Sequence, residues 1–481
     1  MNSARTIVDL LVIGGGTAGI VGARTAAELG ARAVLVEQAR TGGDCLWTGC
    51  VPSKTLLSAA EHATPTARSA VDFDAVRTRI AEAIRAIEPE DSPEALEAAG
   101  VRVRTGAARF LEPGVAVVGS ETMRYRQALI AVGSAPTVPP IPGLDQIEVL
   151  TSETIWDVAE LPPRMAVIGG GPVGCELGQA FARLGTDVTQ LIRSEILPRE
   201  DRDAAALLRQ SLAADGVEVL EHAAVSRVEG DEPVSAGVRT SGAGHQVHLE
   251  DGRVVVVDAV LVATGRTPRT DQLGLSVVGV DCDPQGHVKV DQYMRTTNPR
   301  IWAAGDVTPH PDFTHLAGVY ASTAASNAVL GLRRGITATA PRVTYTSPEI
   351  ASVGPAGSGG LSDSASREEL RTVTIAHAHT DRAITEGRTS GFTRLSIGRG
   401  GRILGGTIVG PRAGESLGEL TLAVQQKLST RDLAAVIHAY PTYNDALWNA
   451  AVTDARSALD APLARRALTA LRGITRWRRR V

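Results

Sequence analysis

Apolar positions along this chain fall in short runs that stop at glycine. The first, Ile7–Ile13, is apolar but for Asp9 and ends at Gly14-Gly15-Gly16. A helical stretch follows to Leu29-Gly30, and a second apolar run, Ala31–Val36, ends at Glu37. Continuous apolar runs of this length, bounded by turn residues and separated by a helix, predict buried parallel strands in an α/β layer. The same texture returns near 165–168, runs through a helix to Leu184-Gly185 and continues as a strand over Asp187–Ile192. Between these units, residues 54–100 read as helices, with Leu56, Leu57 and Ala60 on the first and a second periodic run near 75–88. Strand-like pieces follow at Val101–Arg104, Val115–Val118 and Ala128–Val132, and four prolines within Pro136–Pro142 mark a boundary. From Pro341 the pattern changes to a Gly/Ser-rich loop over Gly354–Ser366, strands near 371–377, 391–397 and 403–409, and a helix over Glu415–Lys427.

The glycines at the ends of the two apolar runs carry chemistry. Gly14, Gly16 and Gly19 form GxGxxG between strand and helix, and the following strand ends in the acid Glu37. That is a complete strand–helix–strand dinucleotide fingerprint: glycines for the tight turn and close pyrophosphate approach, an acid for ribose hydroxyls. Gly169, Gly171 and Gly174 repeat it. A terminal element repeats too, since Gly133-Ser134-Ala135-Pro136 is echoed by Gly265-Arg266-Thr267-Pro268. Two such units imply two dinucleotides and a duplicated unit. The second unit departs from the first at the ribose position, where Ile192 stands in place of an acid and Arg193 and Arg199 follow. Guanidinium groups suit a 2′-phosphate; against this, Arg199 also reads as an ordinary surface turn residue.

Residues 42–54, GGDCLWTGCVPSK, set Cys45 and Cys50 just after a glycine pair. In regular helix their Cα atoms would lie roughly 8–9 Å apart, beyond the about 4.4–6.8 Å a disulfide tolerates. A bond therefore needs a distorted turn, which Gly49 makes accessible. Zinc needs about four ligands, and two buried thiols explain the local glycines poorly. A redox-active pair is the preferred reading. Cys175 and Cys282 read as packing residues.

Composition limits the remaining classes. The chain has 481 residues, 43% hydrophobic and 21% charged, enough for about three domains. Four cysteines do not make a structural disulfide framework. No apolar run approaches a membrane span of about 20 residues, and the first run lacks a basic leader and a cleavage site, so a cytoplasmic location is expected. The formal charge is −4, yet the last 26 residues hold eight arginines and one aspartate, which leaves −11 on the rest. An acidic body poor in aromatics gives no case for nucleic acid.

The cysteine stretch resembles the active-site motif of the flavoprotein disulfide reductases, the class I pyridine nucleotide-disulfide oxidoreductase family, and GQAFARLGTDVT at 178–189 resembles its mercuric reductase branch. The resemblance extends over nearly the whole chain. It implies an α/β fold of two Rossmann-like dinucleotide-binding domains plus a C-terminal α+β dimerisation domain. The expected boundaries are 1–150 and 273–340 for FAD, 151–272 for NAD(P), 341–455 for the interface domain, and 456–481 for a basic tail. It implies FAD at Gly14, Gly16, Gly19, Glu37, Gly43, Gly133 and Asp306, the last from TNPRIWAAGD at 297–306. It implies NADPH, with NADH possible, at Gly169, Gly171, Gly174, Arg193, Arg199 and Gly265. Cys50 would be the thiolate facing the flavin and Cys45 the thiol that exchanges with substrate, while Lys54 would lie near the flavin's reactive nitrogen, paired with Glu176. The helix that starts within FTHLAGVYA would stabilise negative charge on the reduced ring.

In the family, a homodimer completes each active site with a partner-chain segment. In lipoamide dehydrogenase and glutathione reductase that segment carries a histidine before Pro-Thr and a glutamate five residues later, while mercuric reductase has a tyrosine in this neighbourhood. Here HAYPTYND at 438–445 puts Tyr440 and Asp445 in those positions. A phenol, whose ordinary pKa is about 10, is a poor base at neutral pH, so the usual dithiol exchange is expected to be weak. In an extended chain His438 would point to the side of Tyr440 and assist only through water. Mercuric reductase delivers metal through a C-terminal cysteine pair, whereas here no cysteine follows Cys282; no resident metal and no efficient mercury reduction are expected. The expectation is an NAD(P)H oxidoreductase that passes electrons through flavin and Cys45–Cys50 to a small-molecule acceptor. A quinone-type reductase and a redox-sensing flavoprotein are the alternatives. From Pro462 on, Leu463, Ala467, Leu471 and Ile474 recur at helical spacing opposite arginines, a pattern that suits an anionic membrane surface. The competing reading is a tail docked on the acidic body or disordered.

Overall fold

The first apolar run becomes the strand Val8–Ile13, at the centre of a seven-stranded sheet. This computed structural model describes residues 7–61, 72–230, 244–336, 339–354 and 370–479. Val8–Ile13 pairs in parallel with Ala33–Glu37 on one side and with Glu121–Ile130 on the other, in the register Leu11↔Val34 and Leu11↔Ala128. Leu10, Leu11, Val12, Leu35, Ala128, Leu129 and Ile130 are fully buried, because helices Thr17–Glu28 and Thr314–Leu330 pack on one face and Phe110, Ala116, Val118, Leu275 and Val280 cover the other. Glu121–Ile130 shows the change of environment along one strand. Its first half alternates buried and exposed residues where it pairs antiparallel with Val115–Val118. Its last residues are continuously buried, between Val8–Ile13 and the parallel strand Ile301–Ala303.

The second repeat forms a five-stranded parallel sheet in the order Val217–Leu220, Asp187–Leu191, Arg164–Ile168, Ala259–Val262, Val149–Leu150. An antiparallel three-stranded sheet, Val225–Glu229, His245–Leu249 and Val254–Val257, adds to it. The duplicated Gly-x-Pro elements meet each other: Ser134–Pro136 pairs antiparallel with Arg266–Pro268.

The chain divides into two compact units, Met1–Glu195 with Asp215–Ala338, and Ile196–Ala214 with Thr339–Val481. The second is an antiparallel sheet ordered Arg342–Thr344, Glu349–Val353, Ile403–Gly410, Phe392–Ile397, Arg371–Ala376. Helices Ala413–Gln425 and Asp445–Ser457 contribute Leu417, Leu420, Leu447 and Ala450 to its core. Most of the Gly/Ser-rich loop expected over Gly354–Ser366 lies outside the described residues. Helix Arg202–Ala214, which by sequence sits inside the second nucleotide repeat, belongs to this second unit. Charge explains the grouping. Arg394 reaches Asp201 and Asp203, each at 2.7 Å, and Arg342 Nε lies 2.9 Å from Glu200.

The Asp201 side chain is 2% exposed, so losing Arg394 would strand a buried carboxylate, a change that costs about 3–5 kcal/mol. Arg394→Leu should lower the unfolding free energy of the second unit by an amount of that order, seen as a lower urea midpoint. A midpoint equal to wild type would show that the ion pair does not hold this helix.

Candidate active site

The turn after Val8–Ile13 is built for backbone approach. Gly14 has φ +107°, and a Cβ there would sit 2.3 Å from the Ala131 carbonyl oxygen. Gly19 faces back onto the Gly14 carbonyl. Helix Thr17–Glu28 begins at Gly16 with no side-chain cap and no acid in its first turn, so its N–H groups are open to a pyrophosphate. Glu37 accepts from the Gly15 and Ala39 N–H groups at 2.6 and 2.8 Å, which fixes its carboxylate at the strand end. Gly43 has φ +60°, and a Cβ on it would lie 2.5 Å from the Gly16 Cα; this brings the cysteine segment directly against the nucleotide turn. Asp306 is partly buried, and burial pushes its carboxyl up. Ser134 Oγ donates to it at 3.1 Å, and Arg266 Nε lies 3.7 Å away. Gly133 and Gly265 both face open space at their Cβ positions. Open N–H groups, a fixed acid and room beside Asp306 fit an FAD.

The cysteines lie on two short helices, Gly43–Trp47 and Cys50–Glu61, broken at Thr48-Gly49. A Cβ at Gly49 would meet the Asp44 carbonyl oxygen at 2.7 Å, so the break requires a residue without one. Trp156 holds the turn by donating its indole N–H to the Thr48 carbonyl at 2.8 Å. Both cysteines are free thiols within hydrogen-bond reach of each other. The Cys45 thiol, the Thr314 hydroxyl at 3.3 Å and the nearby Lys54 ammonium pull Cys50 down to about 6, against its burial. Cys45 is pushed up, by its hydrogen bond to Cys50, by burial, and by the charges of Cys50 and Asp91. Thr314 opens helix Thr314–Leu330, which has no acid in its first turn, so that helix end also favours a thiolate.

Lys54 Nζ lies 2.8 Å from Glu176 Oε2, and the Glu176 side chain is 7% exposed. An open cavity of about 690 Å³ borders Cys50, Lys54 and Ser58, with Arg79, Glu82 and Ile87 on its far wall. Burial pushes the Cys175 thiol up to about 12, which makes it inert, and Cys282 is raised by burial too.

At the second repeat, Gly171 opens helix Pro172–Leu184 without a side-chain cap or a first-turn acid. Gly174 faces the Gly169 carbonyl, as Gly19 faces that of Gly14. The difference lies at the strand end. A Cβ on Gly170 would meet Ile192 Cγ2 at 2.6 Å, whereas one on Gly15 would meet Glu37. Ile192 is buried, while Arg193 and Arg199 are exposed, in the first and second units respectively.

In the second unit, Tyr440 is 72% exposed and its hydroxyl donates to Asp381. That bond raises the phenol further above its ordinary value. His438 turns to a different carboxylate, with Nε2 at 3.0 Å from Glu419 Oε1. Asp445 is buried and caps its own turn, accepting from the Thr442 N–H at 3.1 Å. Thr314, Trp156, Arg266, Asp381 and Glu419 are the site neighbours that sequence reading missed. Trp156, Asp381 and Glu419 lie in no motif, and although Arg266 and Thr314 fall in stretches the sequence singles out, only contact across the fold reveals what they touch. Among the described residues, no group of three or more His, Cys, Asp or Glu is placed to hold a metal. Nor is any helix among them long and apolar enough to cross a membrane.

These features define a flavin- and nicotinamide-dependent dithiol oxidoreductase. The pyridine nucleotide-disulphide oxidoreductase profile matches residues 8–321 and its dimerisation domain matches 340–451, so the chain belongs to that family. It is 36% identical to the mercuric reductase of Streptomyces lividans over 471 residues, 94% of this chain and 97% of that enzyme. It is 33% identical to the dihydrolipoyl dehydrogenase of Geobacillus stearothermophilus over 464 residues, 92% and 95% of the two chains. Among solved structures, the Cu(II) complex of the HOCl-induced flavoprotein disulfide reductase RclA from Escherichia coli matches with a TM-score of 0.83 at 27% identity. It covers 93% of this chain and 99% of that one. The chain is an NAD(P)H-dependent flavoprotein oxidoreductase that uses FAD.

In the reduced protein, alkylation of Cys50 should rise with pH about a midpoint near 6, because the thiolate is present above that value. Lys54→Met should move the midpoint upward by removing the positive charge. Peptide mapping of the alkylated cysteine checks both. A midpoint unmoved in Lys54→Met would show that the ammonium does not act on Cys50.

Proposed function

We propose that the protein works as a homodimer that takes hydride from NADPH and delivers two electrons through the Cys45–Cys50 pair to a small oxidised acceptor. FAD held by the Gly14–Gly19 turn, Glu37 and Asp306 would supply the two-electron chemistry between nicotinamide and disulfide. The supporting observation is Cys50 held as a thiolate by Cys45, Thr314 and Lys54, with Glu176 fixing Lys54. Cys45, kept protonated, is the thiol that meets the acceptor after losing its proton. The cavity of about 690 Å³ beside Cys50 is where a small molecule would enter. Tyr440 and Asp445 stand where the family's partner-chain base pair stands, but a phenol bonded to Asp381 holds its proton. That observation supports, as a second reading, acceptors that need no thiol deprotonation, such as quinones reduced from the flavin side, in place of disulfides. The reading includes a cytoplasmic location and a peripheral contact between the basic tail and a membrane surface.

NADPH oxidation with disulfides, quinones and metal ions, in wild type and Cys45→Ser, tests the route. Turnover of every accepted oxidant unchanged in Cys45→Ser would remove the dithiol from it. Single-turnover reduction that then stops would favour a redox sensor.

Ile192 followed by Arg193 predicts a preference for NADPH over NADH of tenfold or more in kcat/KM, since a charge-assisted bond contributes about 1.5–3 kcal/mol. Arg193→Ala should lower that ratio; equal efficiency in wild type would refute it. Lipoamide turnover should be weak and should rise in Tyr440→His. Robust wild-type turnover would show that Tyr440 does not limit thiol exchange.

A further inference from the structure

Helix Pro462–Arg478 has 17 residues and none of them is buried. Its large apolar side chains stand in solvent: Leu463 is 79% exposed, Leu471 60% and Trp477 68%. At 3.6 residues per turn, Leu463, Ala467, Ala470, Leu471, Ile474 and Trp477 share an arc of about 120°. Arg465, Arg472 and Arg476 lie opposite, joined by Arg479 just beyond the helix, while Arg466 and Arg478 stand at the two edges of the apolar arc. The helix has five arginines and no acid. A face that excludes water, edged by guanidinium groups whose stems are apolar, matches the boundary between phosphate headgroups and acyl chains. The helix is too short and too charged to span a bilayer.

We propose that this helix lies in the plane of an anionic phospholipid surface, its apolar arc inserted and its arginines on the lipid phosphates. Charge complementarity supports that occupant, and the open apolar arc, with no residue of the helix buried, supports it over the protein's own bulk. The last 26 residues carry formally +7, on a chain whose remainder carries −11, so the tail is the part of the enzyme that a negative surface attracts. Apolar insertion then holds it while the acidic remainder stays in solution. The proposal rests on the peripheral-contact reading and is independent of the redox one: vesicle binding and turnover can fail separately.

Sedimentation of the FAD-loaded full chain with phosphatidylglycerol vesicles, against pure phosphatidylcholine vesicles, tests it at low and moderate salt. Binding should favour the anionic vesicles at least tenfold and weaken with salt. Trp477 emission should shift to the blue on binding, a change absent in Trp477→Phe. Leu471→Glu with Ile474→Glu should lower binding at least tenfold. Arg472→Gln with Arg476→Gln should lower it severalfold and flatten the salt dependence. Both variants should oxidise NADPH as wild type does, which verifies folding. Equal binding to the two vesicle types, or by a chain ending at Ala461, would overturn the proposal. So would a double-Glu variant that binds as wild type, or Trp477 emission already blue-shifted without vesicles, the mark of a tail docked on protein.

Discussion

The site depends on one close approach, between the backbones of Gly16 and Gly43. The first opens the helix whose uncapped N–H groups are open to a pyrophosphate, and the second opens the cysteine segment. A methyl group on Gly43 would lie 2.5 Å from the Gly16 Cα, well inside contact distance. Gly43 is therefore needed to bring the dithiol to the nucleotide turn, whereas a Cβ on Gly16 would keep an ordinary 3.7 Å from the Gly43 Cα, and the position of Cys50 follows from there. Everything beyond that point, the break at Gly49, the indole of Trp156 on the Thr48 carbonyl, and the ion pair of Lys54 with Glu176, refines a placement that the glycines make sterically possible.

Charge around the two thiols is divided unequally. Cys50 has the Cys45 thiol, a hydroxyl, an ammonium and two helix ends on its side, so its anion is favoured. Cys45 has the Cys50 anion and Asp91 for neighbours, so its proton is retained. That asymmetry separates the two thiols. What it does not supply is a base for Cys45. In the C-terminal unit the matching segment offers a phenol tied to Asp381, an imidazole tied to Glu419 and a carboxylate tied to its own turn. Each group has a partner within its own unit, and each partner is a different one. The chemistry of the acceptor therefore matters more here than in a relative with a histidine at position 440.

Much of this was legible in the residues alone. The two strand–helix–strand units, the glycines at their turns, the paired cysteines and the substitution of Ile192 for an acid all rest on neighbours in sequence. Backbone conformation and side-chain spacing over a dozen residues depend mainly on those residues, so the pattern determines them. The tertiary structure decided what involves distant segments. It placed Thr314 beside Cys50, brought Arg266 between Asp44, Ser134 and Asp306, and turned His438 and Tyr440 to different carboxylates. It also assigned helix Arg202–Ala214 to the second unit through Arg342 and Arg394, although its sequence neighbours build the nucleotide sheet. Such contacts join residues from 19 to 264 positions apart, and no local period encodes them. They form only when packing of the apolar faces has fixed where each element lies.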